Sequence, residues 1–473
     1  MTMVLSISIR LAARLARSGA ALSYALVFAL LAPSLVPLAH AADTADAAQN
    51  APTARAACAT RTLSAGAFLD SIAVNTHIDY TDGAYADVRN VAKDLAWIGV
   101  HHVREGTPGT SAPLSSYVWL AQQGVKFNFV IRSNVADSLQ QLDRFTAAAP
   151  GSVAAVEGFN EIDNFPVRYN GLAGDAAGLA AQQAIHAHVR NSAALAHVPV
   201  YDLTGYDLTR VATRAGAADF ANQHVYPQNG EQPGYNANGD TWMAWAIDGL
   251  RKYDRPFVVT EFGYFTIPQA GWIRIGVDEA TQAKGVLNGL FDAASLGVKR
   301  TYIYELLDEK PDPRNANGEM HFGLFRNDQS PKPSASAIRN LTTILRADAP
   351  SAGSVDTQGQ TQTGMPPNAS ASCSLSGMPV SGRSLLLTKG DGRYLLALWN
   401  EVPFWDRATG KPLNAASTKV QVDFGAAASR VALYDPTVSA DPLASHADVR
   451  QLAVDVPDHV VLLEVTRAGT PGS

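Results

Sequence analysis

Cysteine is nearly absent: the 473 residues hold two, Cys58 and Cys373. No Cys/His spacing resembles a metal site, so neither a metal nor another cofactor is expected. Charge is sparse too. Asp, Glu, Lys and Arg make up 17% of the chain, with a formal net charge of −6, which leaves no basic face for nucleic acid. The hydrophobic share of 47% excludes a chain disordered throughout. No glycine-rich phosphate loop follows the first apolar strand, which argues against a dinucleotide-binding doubly wound sheet. What the chain does have is length, enough for one large domain and a smaller one.

The N-terminus reads as a secretory signal. Arg10, Arg14 and Arg17 precede an apolar run from Ala20 to Ala39 that ends in Ala39-His40-Ala41. Residues 1–41 are expected to be the signal peptide and 42–66 a flexible segment rich in Ala, Asp, Gln and Thr. Pro33 and Pro37 speak against the alternative, an uncleaved membrane anchor. The mature protein is then secreted or periplasmic, a monomer without stable membrane insertion. In that oxidising setting Cys58 and Cys373 can pair and tie the N-terminal segment to the C-terminal domain; two free thiols are the alternative.

From residue 71 short apolar runs alternate with helix-spaced stretches. Candidate strands are Ser71–His77, His101–Glu105, Lys126–Arg132, Val153–Glu161, Val198–Tyr206, Phe220–Pro227, Pro256–Tyr264 and Arg300–Asp308. The clearest helices are Asp87–Gly99, Gly178–Leu195, Thr241–Tyr253, Glu279–Gly297 and Pro333–Arg346. Eight such units predict an α/β fold, a (β/α)8 TIM barrel over 67–348. A linker without hydrophobic period covers 349–370, and strand-like alternation over 371–473 predicts a small antiparallel β-sandwich.

Catalytic groups of such barrels stand at the C-terminal ends of the strands. The fourth strand runs "VAAVEGFNE" and the seventh "RPFVVTEFGY", so Glu161 and Glu261 emerge on the same rim. A carboxylate pair of this kind suits acetal cleavage, with one carboxyl donating a proton and the other attacking the sugar. "GFNE", "NQHVYP" on strand six, "VVTEFGY" and "HHVREG" on strand two resemble strings of the clan A glycoside hydrolases, nearest to family 39.

That resemblance implies a retaining hydrolase of glycosidic, β-linked bonds in a polysaccharide or oligosaccharide. Glu161 matches the acid/base and Glu261 the nucleophile. Asn160 matches a 2-hydroxyl ligand, Arg104 and Tyr226 match groups that hydrogen-bond the nucleophile, and His224 matches a histidine lining the reacting subsite. The acid is expected to be raised by a less polar setting and a nearby like charge. Ile162 stands where the family carries proline, and strand eight offers Tyr304 and Glu305 where relatives place a tryptophan. His77, ending strand one, is placed for sugar contact or for a structural role. Trp272, in the long connection after strand seven, is the best aromatic platform, whereas Trp119, Trp242 and Trp245 lie in helical patterns and read as core. Trp399 or Trp405 would be the platform if the C-terminal domain bound carbohydrate; a buttress for the barrel is the preferred reading. A non-catalytic carbohydrate-binding protein and a transglycosylase using the same residues are the alternatives to hydrolysis.

Overall fold

The computed structural model describes residues 56–59, 61–109, 111–132, 134–207, 217–234, 242–268, 276–346 and 373–467. The expected signal peptide, the linker over 349–370 and Trp272 lie outside the described residues.

Eight parallel strands are present: β1 Ile72–Asn75, β2 His102–Gly106, β3 Lys126–Val130, β4 Val153–Glu157, β5 Val200–Tyr201, β6 Ala221–Val225, β7 Phe257–Phe262 and β8 Thr301–Ile303. They hydrogen-bond in the order β6-β7-β8-β1-β2-β3-β4-β5. A parallel bridge between Tyr201 and Phe220 links the two ends, so the barrel is nearly closed. Around it lie α1 Val88–Ile98, α2 Leu114–Gln122, α3 Val135–Ala148, α4 Gly174–Asn191, α5 Trp242–Arg251, α6 Glu279–Leu296 and α7 Pro333–Arg346.

Local chemistry sets the helix limits. Asp87 accepts from the Arg89 amide at the start of α1, and Gly99 ends it at φ 70°, a conformation that costs a side-chain-bearing residue more than glycine. Asp278 and Gly297, at φ 96°, do the same for α6.

Inward-facing residues change character along the barrel axis. Ala73, Ala155, Tyr201, Val258 and Tyr302 form an apolar layer in which small residues make room for the tyrosines. Two residues further along their strands, side chains return to the same face. There Asn75, Glu157 and Thr260 are polar and buried, together with Arg104, Asn128 and Asn222 from the strands between. Burial of so many polar groups is tolerable only if they satisfy one another.

The C-terminal domain comprises β9 Ser374–Ser376, β10 Gly382–Thr388, β11 Tyr394–Asn400, β12 Thr418–Tyr434, β13 Ala444–Val456 and β14 Val461–Arg467. Hydrogen bonding joins them in one continuous sheet, β9-β12-β14-β11-β10, with β13 also on β12. The alternation of β11 divides its side chains. Tyr394, Leu396 and Leu398 enter the domain's own core, while Leu395, Ala397 and Trp399 join the core of the barrel. Polar ties reinforce the contact: Trp399 Nε1 donates to Asp292 of α6 at 3.2 Å, and Lys284 of α6 pairs with Asp458 at 2.8 Å.

Three expectations are corrected here. The described part of the segment 42–66 is built into the sheet: Ala56–Ala57 pairs with β9, Thr62–Ser64 lies parallel to β10, and the Cys58–Cys373 disulfide joins this segment to the C-terminal domain at a Cα separation of 5.3 Å. The sheet edges supply backbone partners that composition alone does not reveal. Trp399 and Trp405 are 0% and 6% exposed, packed at the barrel interface, so neither offers a face to sugar. Trp245, expected in the core, is 54% exposed, because α5 turns only its Met243, Ala246, Ile247 and Leu250 face inward.

Candidate active site

Arg104 organises the polar end of the barrel. Its Nε and Nη2 donate to Glu157 Oε2 and Oε1 at 2.9 and 2.8 Å. Nη1 donates to Glu261 Oε1 at 2.6 Å and to Asn75 Oδ1 at 3.1 Å, and Nη2 also reaches Asn160 Oδ1 at 2.7 Å. Glu157 in turn accepts from Asn128 Nδ2 at 2.6 Å and from the Thr260 hydroxyl at 3.1 Å. One guanidinium thus fixes a wholly buried carboxylate below it and presents a second to the cleft.

Thr260 and Glu261 are neighbours, yet both bond into the interior. A regular strand sends neighbours to opposite faces. The register of β6 against β7 shifts at Gln223/His224, and that of β7 against β8 shifts between Val259 and Phe262. This irregularity re-aims Glu261. Its other oxygen accepts from the Tyr226 hydroxyl at 2.6 Å.

Glu161 lies beyond β4, which ends at Glu157 rather than at the expected Glu161. Its φ is 42°, in the left-handed region that non-glycine residues avoid. Strain of about 1–3 kcal/mol at such a residue is retained where the surroundings over-determine it. Here the Glu161 amide donates to Thr204 Oγ1 at 3.0 Å, and the Asn164 amide group donates to Glu161 Oε2 at 3.0 Å. Asp163 ties the same loop to the Tyr206 and Asp207 amides at 2.6 and 2.9 Å.

His224 stands between the two glutamates. Its Nδ1 lies 2.8 Å from Glu161 Oε1 and 3.4 Å from Glu261 Oε2. Facing oxygens of the two carboxylates lie within 4.8 Å of each other. Burial works against charge on His224, but the Glu261 charge and the hydrogen bond and charge of Glu161 outweigh it and hold the imidazole above its ordinary value. Burial likewise raises Glu161, but the His224 hydrogen bond and charge, with Asn164 and Arg104, bring it below the usual carboxylate range. This runs against the expectation of a raised acid: the shared proton is biased toward the imidazole.

The remaining expected residues gather on the adjoining wall. Tyr304 donates to Glu319 Oε1 at 2.7 Å, and its ring lies 6.1 Å from that of Tyr226. His77 Nε2 is 3.4 Å from Glu305 Oε2, which accepts from the Tyr85 hydroxyl at 2.8 Å. His77 and Glu305 have no described contact with Glu161 or Glu261. Sequence reading missed Glu157, Asn128, Thr260 and Asn164; the signal available was a glutamate inside the otherwise apolar run Val153–Glu157.

No family model matches the sequence, and neither does any curated protein. Solved structures do. The chain is similar to a family 39 glycoside hydrolase from Bacteroides cellulosilyticus WH2, at 13% identity and a TM-score of 0.56, over 84% of this chain and 81% of that one. Weaker likenesses are to the family 39 enzyme of Xanthomonas axonopodis pv. citri, at 13% identity and TM-score 0.49, over 87% and 98% of the two chains. A glucosidase from Croceicoccus marinus follows at 13% identity and TM-score 0.48, over 80% and 92%. The first of these likenesses shows the fold alone, one shared with that glycoside hydrolase over most of both chains.

Proposed function

We propose that this protein is an exported glycosidase that hydrolyses β-linked polysaccharide or oligosaccharide with retention of configuration. The observation that carries the reading is the Glu161–Glu261 pair, two buried carboxylates whose facing oxygens lie within 4.8 Å. Retaining enzymes keep their carboxyl groups about 5–5.5 Å apart, inverting ones roughly 6.5–9.5 Å.

The two glutamates are held differently, as the two roles require. Glu261, bonded by Arg104 and Tyr226, attacks the anomeric carbon as the glycosidic C–O bond breaks. The leaving oxygen takes the proton that Glu161 shares with His224. In the second step Glu161 removes a proton from water, the water oxygen bonds to the anomeric carbon, and the bond to Glu261 breaks. Asn160, anchored on Arg104, faces the sugar beside the reacting carbon.

Export is carried by the Arg-flanked apolar N-terminal run and agrees with the disulfide. The β-domain, read as a folded-over sandwich, serves as a buttress for the barrel. Transglycosylation would use the same groups with a sugar hydroxyl in place of water, and no contact in the site favours it.

The test is reducing-end release from plant and bacterial polysaccharides by wild type, Glu161→Gln and Glu261→Gln, with circular dichroism to verify folding. Release by wild type that disappears in both variants is the expected outcome. Near-normal turnover by folded Glu261→Gln would overturn the mechanism.

A further inference from the structure

The rim carries a second cluster of chemistry-bearing side chains that the glycosidase reading leaves unused. His77 follows β1, and Glu305 and Glu309 lie in the segment after β8. One ligand atom of each lies within 4.8 Å of the other two. Glu305 and Glu309 are 0% and 5% exposed, and the His77 side chain is 11% exposed.

Hydrogen bonding does not account for them. Glu305 Oε1 and His77 Nδ1 are buried without a hydrogen-bond partner, and His77 Nε2 has only the 3.4 Å approach to Glu305 Oε2. Glu305 Oε2 takes the Tyr85 hydroxyl, and that hydroxyl also accepts from the Leu307 amide at 3.0 Å, so the phenol is fully used and orients the carboxylate. Tyr80 stacks on the imidazole with ring centroids 4.6 Å apart and planes 10° apart, while Tyr85 and Tyr304 meet it edge-on at 5.8 and 5.5 Å. Aromatic rings therefore fix the imidazole while its nitrogens, which bind in the ring plane, remain available. Lys310 is directed to Asp82, at 2.7 Å.

Two carboxylates buried together are costly unless they take up protons, as burial drives Glu305 and Glu309 to do, or a cation binds among them. An oriented carboxylate held by an outer hydroxyl is also the arrangement metal ligands show. One nitrogen and two carboxylate oxygens suit Zn²⁺, for its imidazole ligand, or Mn²⁺, for its carboxylates, better than magnesium or calcium, which take all-oxygen sets.

We propose that His77, Glu305 and Glu309 bind one divalent cation, Mn²⁺ or Zn²⁺, on the rim beside the Glu161–Glu261 pair. The pair itself, with His224, forms the other three-residue cluster of suitable spacing among the described residues. It is a poor cation site, because the Arg104 guanidinium already sits 2.6 Å from Glu261 and the two glutamates bias His224 toward its charged form. The rim ion would fix Glu305, and through the adjoining Tyr304 the wall that packs against Tyr226. The proposal stands independently of the glycosidase reading.

The purified protein is stripped with chelator and titrated with Mn²⁺, followed by the loss of the free-ion EPR signal, and separately with Zn²⁺ by calorimetry. Expected are one ion per chain, a melting temperature raised by the ion, and at least about tenfold weaker binding in His77→Gln and in Glu309→Gln. Binding in Glu161→Gln should match wild type. Absence of stoichiometric binding of either ion overturns the proposal, as does unchanged affinity in folded His77→Gln and Glu309→Gln, or loss of the ion in Glu161→Gln. Should Glu305→Gln fail to fold, the other two variants decide the question.

Discussion

Arg104 and Glu157 meet through two parallel hydrogen bonds, Nε to Oε2 at 2.9 Å and Nη2 to Oε1 at 2.8 Å, in the interior of the barrel. The second carboxylate that Arg104 holds, Glu261, therefore rests on a guanidinium that cannot swing. Replacing Glu157 by Gln leaves a buried cation with half its compensation. A loss of about 3–5 kcal/mol of stability is expected, accompanied by lower turnover because Glu261 is no longer fixed. Urea unfolding measures the first and steady-state kinetics the second; a variant within roughly 0.5 kcal/mol of wild type, the range of neutral surface changes, would show that Arg104 is anchored otherwise.

Proton donation by Glu161 can be separated from attack by Glu261 through the leaving group. Glu161→Gln should lose about 10²–10⁴-fold in turnover on natural glycosides. On an aryl glycoside whose phenol leaves unaided, formation of the glycosyl-enzyme needs no acid, so the loss in that step should be far smaller. Glu261→Gln should be equally inactive on both substrates. Pre-steady-state bursts of phenol release distinguish the cases, and equal losses in Glu161→Gln on both substrates would count against its role as acid.

The fold was legible in the sequence because most barrel strands are short, largely apolar runs, and the clearest of the following helices carry the longer period. Glu161 and Glu261 were legible because a carboxylate closing such a run has no packing reason to be there. Glu157 was not, since its meaning depends on Arg104, 53 residues away along the chain and adjacent only across the barrel. The lowered state of Glu161 escaped for a similar reason: burial alone points upward, and the opposing His224 arrives from β6. The pairing of Ala56–Ala57 and Thr62–Ser64 escaped because their partners are the backbone edges of β9 and β10, which carry no sequence signature.

The Cys58–Cys373 bridge spans a sequence separation of 315 residues, so breaking it frees a long loop of the unfolded chain. Cys373→Ser should lower stability by about 2–4 kcal/mol. Reductant should lower the melting temperature of wild type toward that of the variant and leave the variant unmoved. Equal melting temperatures with and without reductant would mean the bridge adds nothing to the fold.

At the barrel interface Asp292 and Glu401 oppose one another, buried. Burial pushes Asp292 up to about 6, above the usual carboxylate range, despite the Glu401 hydrogen bond and the Arg383 charge. Burial and the Asp292 charge push Glu401 well above the carboxylate range. Both groups bind protons more tightly when folded. Their contribution to stability is therefore complete below about pH 4 and is lost as pH rises through 6 and above. Glu401→Gln keeps an acceptor for the Gly234 amide, now 3.0 Å from Glu401 Oε1, and supplies an amide donor to Asp292. Relative to wild type it should gain stability at pH 8, on the order of 1–3 kcal/mol, and little or none at pH 4. A difference between the two proteins that does not vary with pH would remove the pair from the account.

His224 gives the catalytic site its pH dependence. One proton is shared by Glu161 and His224 at 2.8 Å, and the imidazole is the preferred holder because the charges of Glu261 and Glu161 raise it above 6.5. Loss of that proton removes the acid, so the alkaline limb of kcat/KM should report the coupled pair rather than a lone carboxyl. In His224→Asn the proton must sit on Glu161 itself. Burial raises that carboxyl from 4.5 once the imidazole no longer lowers it, but from a starting point below that of the imidazole. The alkaline limb should therefore move to lower pH, and turnover measured well below it should fall less than turnover at neutrality. A limb that stays in place, in a variant shown to be folded, would mean that the titrating acid is not coupled to His224.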